Sequence, residues 1–130
     1  MAKVWRVLGH YNAETQAYSA LAGTFGSSPY NPDFNGRLVG IRLLEGQEAA
    51  TSLMCDVQVR MTCTTFNPNS MDFAINGGGL KTVPVAYQAD ITYAVDQQVR
   101  AGVPITIEAR NATATGVTVS VIVLGCFEVQ

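Results

Sequence analysis

Residues 55–63 read Cys55-Asp56-Val57-Gln58-Val59-Arg60-Met61-Thr62-Cys63. The odd positions are apolar and the even ones polar or charged. Successive side chains of a strand point to opposite faces, so a period of two predicts a β-strand with one dry and one wet face. A helix would place its apolar residues three or four apart. The same alternation recurs at 103–110, where Val103, Ile105, Ile107 and Ala109 are interleaved with Pro104, Thr106, Glu108 and Arg110. Pro104 has no N–H for a ladder, so it marks a strand start or a sheet edge. The longest apolar run is 116–129. Val117, Val119, Val121 and Val123 share one face; the other begins with Thr118 and Ser120 and turns apolar at Ile122 and Leu124. A strand that is apolar on both faces is either central in a sheet or covered by another subunit.

Working outward, the pattern predicts about eight strands: 3–11, 15–22, 37–44, 53–65, 71–76, 80–93 (as one strand or two), 103–110 and 116–129. Within 37–44, Gly40 allows close backbone approach. Turn residues separate the strands: a long loop from Gly23 to Gly36, then Asn67-Pro68-Asn69-Ser70 and Asn76-Gly77-Gly78-Gly79. Helical signal is thin. Gly46–Leu53 and Ala94–Ala101 have room for one or two turns each, too short for a helix to stand alone. The expected fold class is all-β, a two-sheet antiparallel sandwich with the jelly roll as the natural eight-strand case. The competitor is an immunoglobulin-like sandwich, but its antibody-domain form sets a core Trp between paired cysteines, and here Trp5 precedes every Cys.

The chain has 130 residues, which predicts a single domain over 1–130. Apolar residues make up 48% and charged ones 14%, the reverse of a disordered composition. Net charge is −2 with no basic block, so nucleic acid is not an expected partner, since phosphate binding needs a cationic stripe. No apolar run approaches the ~20 residues of a membrane span. The N-terminal MAKVWRVLGHY reads as a strand, because Trp5, Arg6 and His10 interrupt any signal-peptide core. Cys55, Cys63 and Cys126 are an odd number and are read as small core residues. Cys55 and Cys63, eight residues apart on one strand, would lie roughly 26 Å apart, too far to bond. Asn111-Ala112-Thr113 is a formal glycosylation acceptor, read as chance without a secretory signal.

Catalytic chemistry is largely missing from the sequence. A single histidine, His10, cannot build a multi-histidine metal site, and nothing beside it in sequence supplies a nucleophile. No nucleophile elbow and no phosphate-binding glycine loop occurs. The ten acids are scattered and read as solvated surface groups, although strands could still bring two of them together. Asn31-Pro32-Asp33-Phe34-Asn35-Gly36 only partly matches a calcium loop. No enzyme activity, cofactor or metal is therefore expected. The least ordinary feature is the aromatic content of the 23–36 loop. Phe25, Tyr30 and Phe34 would serve as a sugar platform or as anchors for a partner subunit, unless the loop folds back on its own sheet.

The segments 99–107 (VRAGVPITI), 110–113 (RNAT) and 117–121 (VTVSV) resemble the closing hairpin of small jelly-roll subunits. Viral capsid, spike and decoration proteins carry such hairpins, as do modules similar to the tumour-necrosis-factor and C1q heads. The resemblance implies self-association with a β-sandwich as building block and transfers no functional residue. Low charge points the same way, because interface cores are depleted in charge. The expectation is a non-enzymatic structural subunit of a virion or comparable assembly, located in a virion or extracellular particle after cytoplasmic synthesis. Its partners would be copies of itself or other assembly subunits. The candidate contact residues are Phe25, Tyr30, Phe34, Ile122 and Leu124. The alternative is a module that binds carbohydrate or a host surface, which would set Trp5, Tyr30 and Phe34 exposed and roughly coplanar.

Overall fold

A computed structural model of the chain describes residues 2–13, 29–47, 57–75, 87–111 and 119–130. These form seven strands: β1 (Ala2–Ala13), β2 (Gly36–Gln47), β3 (Val57–Thr62), β4 (Ser70–Ile75), β5 (Tyr87–Val99), β6 (Thr106–Asn111) and β7 (Val119–Val129). They make a four-stranded sheet of order β1-β7-β2-β5 and a three-stranded sheet of order β4-β3-β6. Every pairing is antiparallel. The chain is thus an all-β, two-sheet sandwich. The strand expected at 15–22, the glycine turn at 77–79 and Cys55 lie outside the described residues.

The alternation in 57–62 fixes the orientation of the smaller sheet. Val57, Val59 and Met61 have no exposed surface, while Gln58, Arg60 and Thr62 face out. Ile107, Ala109 and Phe73 join them on the inner side. From the larger sheet come Leu8, Leu38, Ile41, Leu43, Val121, Val123 and Phe127, and together these side chains form one apolar cluster. Burying a side chain of this size is worth roughly 1.5–3 kcal/mol, so the inner faces hold the sandwich shut. Polar ties add to it. The Tyr93 hydroxyl donates to the Ala74 carbonyl across the two sheets. The Gln97 amide oxygen accepts from the Asn67 N–H at 2.8 Å.

Several features differ from the sequence expectation. β2 runs on through Gly46 and Gln47, where a helical turn was expected, and β6 starts at Thr106 rather than at 103. β6 and β7 lie in different sheets, so they do not pair as the expected closing hairpin. Ala94–Val99 is strand, not a helical turn: β5 runs to Val99, paired with Gly36. Cys63 lies just past β3, where a turn over 63–69 begins; the Phe66 N–H donates to the Cys63 carbonyl at 3.1 Å. The Asn67–Pro68 bond in that turn is cis. Pro104 does precede a strand, β6, by two residues.

β7 is an interior strand, flanked by β1 and β2. Its inner face is apolar because it packs against the smaller sheet. Its apolar outer face is a separate matter.

Candidate functional site

Residues paired directly across an antiparallel ladder point to the same face. In the larger sheet Trp5 pairs with Cys126 and Val7 with Leu124. On the other side of β7, Gly40 pairs with Cys126, Arg42 with Leu124 and Leu44 with Ile122. All of these lie on the outer face, because the intervening Val121, Val123 and Phe127 are in the core. Trp5 is 50% exposed and Val7 42%, while Ile122, Leu124 and Leu44 are half-buried. The result is an apolar patch over β1 and β7 that reaches Leu44 of β2, with the exposed Arg42 beside Leu124 and with Thr92 and Ala94 of β5 beyond it.

Local structure builds this patch. A bulge between Val7 and Gly9 lets Leu8 turn fully into the core while Val7 stays outside. The Trp5 ring lies across Cys126 toward β2. There, an ideal Cβ on Gly40 would sit 3.5 Å from the indole, an ordinary contact, and a tighter 3.3 Å from the Cys126 Cβ, so the ring packs closely over this stretch of β2. Covering what Trp5 leaves exposed is worth about 2–3 kcal/mol. At one end the patch gives way to ion pairs. Lys3 reaches Glu128 at 3.9 Å, and the Arg37 Nε donates to Asp96. That hydrogen bond holds the Arg37 guanidinium above its ordinary pKa.

The outer face of the smaller sheet is different in kind. The Arg60 Nε donates to Asp72 at 2.9 Å, the Arg110 Nε donates to Gln58 at 2.6 Å, and Thr62 and Ser70 share a hydrogen bond at 3.0 Å. A shallow groove of about 270 Å³ runs between Gln58, Arg60, Asp72, Ala74 and Arg110. This is a cross-strand polar ladder suited to water.

The residues singled out from sequence therefore separate. Ile122 and Leu124 fall on the apolar outer face. Tyr30 and Phe34 lie on the inner side instead, packed on Phe127 at centroid distances of 5.8 and 5.1 Å, stacked and edge-on respectively. Tyr30 is also bridged to Ile105 through backbone hydrogen bonds. Burial pushes the Tyr30 phenol up; Arg6 partly opposes this and Asp33 adds to it. Trp5 is thus separated from Tyr30 and Phe34 by the sheet, and the three do not share a platform. Phe25 lies outside the described residues. Val7 is the contact candidate that sequence reasoning missed, because the bulge after it breaks the alternation that would have set its face; Trp5, weighed from sequence only as part of a sugar platform, is exposed beside it.

His10 pairs with Ile122 at the far end of the patch. Among the described residues no group of three or more His, Cys, Asp or Glu could hold a metal ion, and no helix is long and apolar enough to cross a membrane. Cys63 and Cys126 are both buried free thiols, Cys63 in the core cluster and Cys126 on the outer side of the larger sheet.

No family model matches the sequence, and no curated protein does. Solved structures do match. The globular domain of zebrafish complement 1qA protein superposes with a TM-score of 0.53 at 13% identity, covering 98% of this chain and 95% of that one. FLHE superposes with a TM-score of 0.50 at 13% identity, covering 98% and 99%. The infectious bursal disease virus VP2 subviral particle matches at 12% identity over 99% of this chain and 41% of that one, but its TM-score of 0.27 is too low to carry an argument. At this identity the likenesses show the fold alone, a jelly-roll-like β-sandwich.

Proposed function

We propose that the chain is a non-enzymatic structural subunit that self-associates or decorates a larger assembly, with a virion capsid or capsid-decoration protein as the leading case. One observation carries this: the outer face of the four-stranded sheet carries an apolar patch, with half of Trp5 exposed on it, while the opposite outer face is a hydrogen-bonded polar ladder. A monomer needs neither the apolar face nor the asymmetry, and large exposed apolar patches mark contact sites. The likeness to a complement 1q globular domain supports a β-sandwich module as the building block. On this reading the chain acts in a virion or an extracellular particle. A carbohydrate-binding role would draw on Trp5, Tyr30 and Phe34 together, and their separation by the sheet gives it no support.

The test is light scattering across a concentration series, followed by negative-stain electron microscopy. Rings, shells or tubes are the expected result. A 13.9 kDa monomer at every concentration, with no particle formed, would overturn self-association.

A further inference from the structure

The geometry points to a second copy of this chain as the occupant of the apolar face, docked sheet on sheet through the same face. This rests on the self-association reading and names its surface. The face has the anatomy of an interface. Trp5, Val7, Ile122 and Leu124 form an apolar centre, and the ion pairs Lys3–Glu128 and Arg37–Asp96 form a polar rim at one end.

Size agrees with this occupant. Four strands about 4.8 Å apart and some eleven residues long at ~3.3 Å each span roughly 700 Å². A specific interface hides about 800 Å² per partner, so only a partner covering the whole face makes a stable contact. A small ligand or a single docked segment would leave much of it wet.

Chemistry selects the partner. A face whose apolar centre is edged by ion pairs at one end and by Arg42 beside Leu124 needs a largely apolar surface opposite it. The outward face of β4-β3-β6 does not supply one, since Arg60, Asp72, Arg110 and Gln58 are laid out along it. The outer face of β1-β7-β2-β5 does. Two such faces meeting at about 10 Å repeat the packing that already holds the sandwich together. A self-complementary patch is what a two-fold contact requires.

Trp5 is the chain's sole tryptophan, so its emission reports on this face without any label. The wild-type protein is read by fluorescence and by light scattering over the same dilution series. Val7→Glu is measured beside it, with Thr62→Glu on the opposite sheet as control and circular dichroism to check the fold. The expected result is a blue shift of Trp5 emission, and protection from acrylamide, that track the rise in mass. Val7→Glu should weaken association about tenfold or more, with Thr62→Glu unchanged. Should Val7→Glu fail to fold, the wild-type emission and quenching decide alone. Association that leaves Trp5 emission and quenching at their dilute values would overturn this surface and leave self-association standing. A wild-type protein that stays monomeric throughout would overturn both.

Discussion

An ideal Cβ on Gly36 would stand 2.0 Å from the Glu128 carbonyl oxygen. That oxygen belongs to backbone in the β2–β7 ladder and cannot step aside cheaply. Gly36→Ala is therefore expected to cost about 1–3 kcal/mol in urea denaturation, by forcing the ladder apart where β2 begins. Tyr30 offers a second test at the same scale. Burial holds its phenol above the ordinary value of 10.0. As pH rises past about 10, the unfolded chain releases this proton first, so the folded state holds more protons and stability falls with pH. Below that range the group contributes no slope. Tyr30→Phe keeps the ring on Phe127 and removes this share of the loss, so the decline in stability above about pH 10 should become shallower.

At the scale of the strand, β3 is where sequence and structure agree best, and the agreement has a measurable consequence. Met61 has no exposed surface, and its neighbour Arg60 faces water in an ion pair with Asp72. Met61→Ala should cost about 2–5 kcal/mol through the cavity it leaves. Arg60→Ala should cost about 1 kcal/mol or less, because an exposed pair contributes little. Equal losses at both positions would contradict the alternation. The period of two was legible here because each inward position is apolar. In β5 it was not. Gln97 points inward among apolar neighbours and is satisfied by Asn67, which no local pattern announces. With that position polar, Val95 and Val99 stand four apart and imitate a helical turn. The bulge in β1 hides the face of Val7 in the same way, since Leu8 and Val7 break the alternation that would have sorted them. Tyr30 and Phe34 were legible as unusual loop aromatics, but their destination on Phe127 depends on a bridge to Ile105, 75 residues away in sequence, and local reading cannot reach it.

For the molecule as a whole, the proposed function turns on its two outer faces being unlike, and adjacent residues of β7 test this directly. Val123 points inward with no exposed surface; Leu124 points outward, half-buried, opposite Val7 and Arg42. A carboxylate at 123 would be buried in the apolar cluster without a partner, so Val123→Asp should abolish folding or cost more than about 4 kcal/mol. A carboxylate at 124 can reach water in the monomer and has the Arg42 guanidinium across the ladder. Leu124→Asp should therefore keep native circular dichroism and lose about 1–2 kcal/mol of packing. In an assembly the same carboxylate would be trapped in the apolar centre, so light scattering should show Leu124→Asp as a folded monomer where the wild type associates. If Leu124→Asp unfolds as Val123→Asp does, the outer face is ordinary core and the contact between copies lies elsewhere. If it folds and still assembles, that face stays in solvent and its apolar character needs a different partner.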